Sequence, residues 1–441
     1  MTEQIKDINE EKIEKKIPTT KAIILAIEHS LVMNAYVVPL ILASILAFND
    51  QQKIRLIQSS FLASGITTIL QAVLFMKYPL VYGPSFVPVG GIIGIYMING
   101  GNYNSWSYVV GACLVGAIIQ ILLGLSKQFN RILQSLISPV VGACVVFSIG
   151  LSLIPLALKS NIFIENEASM GENIIIAIIT MVFMIIFSLL GEKNNKIGSV
   201  LRVGSAMLAL FCGLLTYISF GYHNFDAIKT ASIISRPSLP FVDFSIKFDP
   251  SSILTMIILY FVIMTETVGS WLATSSTTNT SLSEKRVNNG ILGLGISNFI
   301  SSLLGVSPMT GYSSNVGVLA LSKIFSRHVM KFVGAILILV GLSGKLAALI
   351  TVIPTAAIGG IFLITSSIIA LAGIGMLKNI EFTNKNTYII ILSLVTSLAL
   401  NLMPEEIIKS LPTIVQYILG SSIASSSLLA IILNKIIPDN L

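Results

Sequence analysis

Long apolar runs, separated by short stretches that hold almost all of the charge, constrain this chain more than any other feature. Read between charged residues and Gly, Pro or Asn punctuation, the runs fall at 22–48, 54–75, 84–98, 107–126, 136–158, 173–190, 198–220, 251–273, 287–304, 312–325, 328–350, 354–376, 386–402 and 411–434. A membrane-crossing helix needs about 20 predominantly apolar residues, and most of these fourteen runs approach or exceed that length. They are continuous rather than alternating, which predicts helices and not the strands of a barrel. Only 11% of the residues are charged against 54% apolar, where a soluble domain carries about 25% charged residues. A soluble reading is excluded, and the expected fold class is an all-α polytopic membrane protein.

The third and tenth runs are the short ones, and they hold equivalent positions in the two sets of seven. Both follow Pro and Gly: Tyr82-Gly83-Pro84-Ser85-Phe86 before one, Ser307-Pro308-Met309-Thr310-Gly311 before the other. Matching interrupted segments point to a transporter site built from broken helices. Short extended stretches and half-helices are therefore expected in segments 3 and 10. With the N-terminus inside, nineteen of the 27 Lys and Arg fall on the inner side, which predicts both termini in the cytoplasm and a multi-pass protein of the cell membrane. Residues 1–20 mix Glu and Lys without an apolar core, so they are expected to be a solvated cytoplasmic tail and not a signal peptide. The stretch 221–250, with Arg236-Pro237-Ser238-Leu239-Pro240, is expected to be an extended extracellular connector; its His223 reads as a surface residue. Cys113, Cys144 and Cys212 lie inside apolar runs and read as packing residues, with no disulfide or metal site expected.

Of the 20 acidic residues only Glu28 and Glu266 lie well inside a run, and of the three histidines only His29 does. A charge at the bilayer centre costs about 2.5–3.5 kcal/mol on the lenient insertion scale, so each of these marks a functional position. Glu266 is flanked by Thr265, Thr267 and Ser270, small polar residues suited to a helix lining a cavity. Glu28 and His29 are adjacent, about 100° apart on a helix, so they cannot both face one cavity squarely. In the tenth segment a half-helix is expected to begin near Ser313, its N–H groups and positive dipole end directed into the membrane interior. Pro84-Ser85-Phe86 opens the other half-helix. A carboxylate opposite helix N-termini suits a planar neutral ligand with N–H donors on one edge and carbonyls on another, as in a nucleobase. An intramembrane enzyme would need a nucleophile–base pair or a metal cluster. The chain has no HExxH and no paired intramembrane Asp. No catalytic residue, metal, cofactor or nucleic-acid partner is expected.

At these residues the chain resembles the nucleobase–ascorbate transporter family, which includes xanthine and uracil permeases. The resemblance rests on Glu28-His29, where the family usually has Gln-His, on 63–71 (Ala-Ser-Gly-Ile-Thr-Thr-Ile-Leu-Gln), and on 79–86. It continues through Ser138-Pro139-Val140-Val141-Gly142, Glu266-Thr267-Val268-Gly269, Ser307 to Thr310, Asn315-Val316-Gly317, Ile353-Pro354 and Gly359-Gly360. It implies fourteen segments in two inverted seven-segment repeats. The core domain would comprise 21–126 and 251–350, the gate domain 136–220 and 354–434. It further implies a homodimer in which core moves against gate in elevator fashion. Glu266 would bind the base, Ser85 and Phe86 would form the third-segment wall and backbone donor, and Ser313 and Ser314 would be the tenth-segment contacts. His29 would support the site, with Tyr312 and Asn315 at flanking motif positions; Glu28 and Ser270 complete the coupling and support set. Three departures stand out. Ser314 replaces Glu or Gln, Ser270 replaces Asp or His, and Leu294 stands where Asp often precedes Gly295. The function implied is import of a purine such as xanthine or urate, or of uracil, by proton symport. The alternative is Na⁺-coupled or uncoupled transport of a related heterocycle or organic anion.

Overall fold

The computed structural model describes residues 10–32, 35–129, 138–192, 196–222, 226–312, 315–316, 319, 323–378, 380–404, 407, 419 and 422–438. The described chain is mostly helical. Its first half runs α1 (Thr19–Val32), α2 (Val37–Ile45), α3 (Asp50–Val73), β1 (Tyr82–Pro84), α4 (Val89–Ile98), α5 (Trp106–Ser126), α6 (Pro139–Ala157), α7 (Met170–Leu190) and α8 (Lys196–Ser219). After the short α9 (Asp226–Thr230) the second half runs α10 (Pro250–Thr278), α11 (Glu284–Leu303), β2 (Met309–Gly311), α12 (His328–Gly341), α13 (Gly344–Thr351), α14 (Thr355–Leu377), α15 (Asn384–Leu402) and α16 (Ser422–Ile436). Among the described residues six helices are long and apolar enough to cross a membrane, or seven if α12 and α13, bent by 77°, count as one broken span.

Two runs read as single spans are divided. The run 22–48 is broken between α1 and α2, and the run 328–350 is broken where Leu342 and Ser343 end α12; the Ser343 side chain then caps α13 by accepting from Leu346 N. Hydropathy is blind to such breaks because the residues on either side are equally apolar. The fifth run also departs from a plain α-helix. It contains Pro155, which supplies no N–H to the helix, and ends in a π-helical turn, Leu158–Ile162.

The two short strands pair antiparallel, with Tyr82 opposite Gly311, Gly83 opposite Thr310 and Pro84 opposite Met309. Outer hydrogen bonds extend the ladder, Ser85 N to Pro308 O at 2.8 Å and Tyr312 N to Val81 O at 2.9 Å. Extended backbone at membrane depth needs partners from its surroundings. Here each strand supplies the other, and Asn298 on α11 adds its Oδ1 as acceptor for Met309 N at 2.7 Å.

Around this ribbon the densest helix packing falls into two groups, α3 with α12, α5 with α11 and α10, and separately α6 with α14 and α15, α7 with α8. Small residues let the backbones touch. A Cβ on Gly65 of α3 would lie 2.5 Å from Gly334 O of α12, and one on Gly150 of α6 would lie 2.3 Å from Ala370 N of α14. The buried faces of α3 and α11 are strongly polar: Gln58, Ser59, Ser60, Ser64, Thr67, Thr68 and Gln71 on one, Ser297, Asn298, Ser301 and Ser302 on the other. Outward faces are apolar instead, as on α7 (Ile175, Ile178, Val182, Ile186, Leu189) and α15 (Ile391, Val395, Leu398, Leu402). That inversion is what a bilayer solvent demands.

The connector at 221–250 is strapped onto the first helix group. Gln58 donates to Ser235 O at 3.3 Å and Gly341 O at 3.1 Å, Ser238 N donates to Ser59 Oγ at 2.9 Å, and Lys247 N donates to Ser107 O at 3.1 Å. His223 lies outside the described residues. Asp243 anchors the strap: its side chain is only 4% exposed, accepts two bonds from Arg236 (2.6 and 3.1 Å) and one from Leu239 N (3.0 Å), and pairs with Arg55 of α3. Asp243→Ala leaves both guanidiniums without their acceptor. It is expected to cost about 2–3 kcal/mol, less than a fully buried pair because both arginines reach solvent. A lowered melting temperature of the purified protein would register it.

At the opposite end, most of residues 10–20 are exposed, as expected of a solvated tail, but the segment is tethered at three side chains. Ile13 is fully buried, and Glu10 and Glu14 pair with Arg286 and Arg327. Charge content alone cannot tell a solvated Glu from one whose partner lies more than 270 residues away.

Candidate functional site

The site is the place where α10 passes the β1–β2 ribbon. Glu266 sits in the middle of α10, which Asp249 starts by accepting from Ser252 N (2.8 Å) and Asn279 ends in the left-handed region. The residue is half-buried. Beside it Gly269 is exposed, and a Cβ there would meet nothing within 4 Å. An open space therefore lies against this face of α10.

Ser85, just past β1, donates its hydroxyl to Glu266 Oε2 at 2.7 Å. The same Oγ accepts from Val87 N at 3.1 Å. Because the backbone N–H occupies a lone pair, the single hydroxyl proton is directed at the carboxylate. Thr310, in β2, lies 2.9 Å from the Thr267 hydroxyl; because Thr267 donates to Ile263 O, Thr310 is the donor in that bond. A carboxylate offers about four acceptor positions, so the Ser85 hydroxyl leaves capacity for N–H donors of a ligand. Phe86 follows Ser85 and is half-buried, as is Tyr312 across the ribbon. Tyr312 is held by its own hydroxyl, which donates to Pro84 O at 2.8 Å.

Ser270 does not face the carboxylate. Its hydroxyl donates to Gly311 O at 2.6 Å, so it fastens α10 to β2. Asn315 N bonds Tyr312 O at 3.1 Å, and Asn315 Oδ1 meets His29 Nδ1. His29 is 2% exposed, so α1 is tied to the tenth segment through this pair. Glu28 points the other way and is exposed, away from the carboxylate at Glu266. The structure thus brings Glu266, Ser85, Phe86 and Tyr312 together, links His29 to Asn315 beside them, and separates Glu28. Ser313 and Ser314 lie outside the described residues.

Three contributors escaped the sequence reading. Thr310 and Asn298 are uncharged, and a search for intramembrane charge passes over them. Asn298 is nevertheless a signal of the same kind, an amide within an apolar run; it accepts from Met309 N and donates to Gln120 Oε1 at 2.8 Å. The third is Tyr82 with Trp271, joined by a 2.7 Å bond from the indole N–H to the phenol oxygen, which pins β1 to α10 one turn past Glu266. Leu294, one of the departures, is buried in the apolar cluster that contains this pair. No group of three or more His, Cys, Asp or Glu suited to a metal occurs among the described residues.

The model of the Permease family, covering xanthine and uracil permeases, matches residues 20–406. The uric acid permease PucK of Bacillus subtilis is 30% identical over 419 residues, covering 93% of this chain and 94% of its own. The xanthine permease of the same organism is 29% identical over 421 residues, 94% and 93% of the two chains. Among solved structures, the transmembrane domain of the cyanobacterium bicarbonate transporter BicA superposes with a TM-score of 0.60 at 15% identity, covering 96% of this chain and 98% of that one. At that identity the likeness speaks for the fold alone.

Proposed function

This chain belongs to the xanthine and uracil permease family, the nucleobase–ascorbate transporters, and we propose that it imports a purine nucleobase across the cell membrane by secondary active transport. The observation that carries the reading is half-buried Glu266, its carboxylate bonded by Ser85 where two broken segments meet. Such a group accepts ring N–H donors, while the backbone N–H of Phe86 meets the carbonyl edge. Xanthine and urate present both edges, and relatives at 29% and 30% identity carry the names of those two bases.

The finer architecture we propose is fourteen segments in two inverted repeats of seven. The packing supports it: α3 on α12 and α5 on α11 become each other when second exchanges with ninth and fourth with eleventh. The two helix groups correspond to a core and a gate, with elevator motion of one against the other, in a homodimer with both termini cytoplasmic. Glu266 is the one intramembrane carboxylate at the site among the described residues, so proton symport through it is the coupling we propose. His29 and Asn315 support the tenth segment, and Ser313 and Ser314 complete the ligand contacts.

The test is radiolabelled uptake in cells lacking their own permeases, screened over xanthine, urate, hypoxanthine, guanine, adenine and uracil, with and without Na⁺ and an uncoupler. Saturable purine uptake abolished by the uncoupler and indifferent to Na⁺ is expected. Absence of uptake of every base, with the protein present in the membrane, would overturn the reading, and Na⁺ dependence would replace the proton.

A further inference from the structure

The segment at 10–16 makes contacts that its composition does not call for. Glu10 forms a two-pronged pair with Arg286 at 2.7 and 2.9 Å, and the Arg286 guanidinium also lies 4.6 Å over the ring of Tyr78. One turn on, Glu14 accepts from Arg327 at 2.5 Å. Arg327 in turn donates to Ala72 O (2.8 Å) and Val73 O (3.2 Å), the last carbonyls of α3, while its backbone N–H donates to Ile13 O at 2.9 Å. Ser326 Oγ donates to Lys15 O. Between the two glutamates Ile13 is fully buried in a cluster with Met76, Tyr78, Tyr82 and Trp271.

These contacts grip the chain on both sides of the link from α3 to β1. Ala72 and Val73 lie before the link, Tyr78 within it, and Tyr82 opens the strand whose next residues end in Ser85. Trp271, bonded to Tyr82, is on the helix that carries Glu266. We propose that residues Glu10 to Lys16 form a clasp whose side chains Glu10, Ile13 and Glu14 are positioning residues for the ligand site, setting β1 and α10 in register from the far end of the bundle. The proposal rests on the reading of Glu266 and Ser85 as that site. A merely decorative pair is disfavoured by its composition. Partly exposed ion pairs contribute little stability individually, but two that flank a fully buried apolar side chain specify a single docking position.

The experiment compares the full-length protein with Glu10→Arg, Arg286→Glu, the swapped pair E10R/R286E, and Ile13→Asp, which drives a charge into the buried cluster. Two readouts are taken alongside the amount of protein in the membrane. The first is KM and maximal rate of [³H]xanthine uptake. The second needs no substrate: in a background with Cys113, Cys144 and Cys212 replaced by Ala, the maleimide labelling rate of Gly269→Cys reports the space beside Glu266. We expect Glu10→Arg and Ile13→Asp to raise KM about tenfold, with membrane abundance within about twofold, because small displacements of a positioned group carry penalties of that order. The swapped pair is expected to return KM to within about threefold of the parent, the sign of a direct pair. The labelling rate should shift in the single variants and recover in the swap. Unchanged KM and labelling in both Glu10→Arg and Ile13→Asp would overturn the clasp. So would loss of abundance alone, with surviving protein behaving as the parent. If the parent takes up no xanthine, the nucleobase assignment fails there, and the labelling arm still decides the clasp.

Discussion

Glu266→Gln is expected to weaken purine binding and uptake about a hundredfold, the largest functional effect of any single substitution in this chain. The carboxylate is acceptor-only when ionised, and Ser85 donates its hydroxyl to it. Charge-assisted hydrogen bonds of this kind contribute about 1.5–3 kcal/mol each. The amide keeps the shape but turns one oxygen into an NH₂ donor, which faces either a ligand N–H or the Ser85 hydroxyl without an acceptor. About 2.7 kcal/mol of lost binding corresponds to the hundredfold change. Equilibrium binding of xanthine to purified protein, together with uptake at matched membrane abundance, measures it. Unchanged affinity would remove Glu266 from its assigned role.

Gly65→Val is expected to abolish most of the folded protein. The α3 and α12 backbones touch at Gly65 and Gly334: a Cβ on Gly65 would lie 2.5 Å from Gly334 O and 2.8 Å from Ile338 Cγ1, and one on Gly334 would lie 2.4 Å from Ile69 Cγ1. The obstacle is backbone on one side and a packed β-branched side chain on the other, so neither can yield by changing rotamer. Ordinary overpacking costs about 1–3 kcal/mol, and parting two helices along their contact costs more. Monodisperse yield from detergent-solubilised membranes is the measurement, with Gly269→Ala as the control. Its new methyl meets open space, and its yield should match the parent.

Much of the candidate site was legible in sequence because membrane burial makes polar residues conspicuous. Glu266 stood out as a charge in an apolar run. The paired Pro/Gly interruptions foretold two extended stretches, and the strands at Tyr82–Pro84 and Met309–Gly311 occupy those positions. What stayed hidden were uncharged groups and orientation. Thr310, Asn298 and the Tyr82–Trp271 bond carry no net charge. Ser270 read as a coupling or support residue lining the cavity, and its hydroxyl fastens α10 to β2 at Gly311 O.

By itself, then, the sequence determined the solvent this chain folds in, the two Pro/Gly interruptions where the strands form, and the two carboxylates, Glu28 and Glu266, that fall inside apolar runs. Each follows from local composition against a fixed transfer cost per residue. Only the tertiary structure decided which of two adjacent residues turns inward, His29 to Asn315 and Glu28 to the surface. It also decided that Ser85 aims at a carboxylate 181 residues away, and that Ile13 is buried between Glu10 and Glu14, which pair with Arg286 and Arg327. Hydropathy is a property of one residue, whereas a hydrogen bond or an ion pair belongs to two, and the second is chosen by how the helices cross.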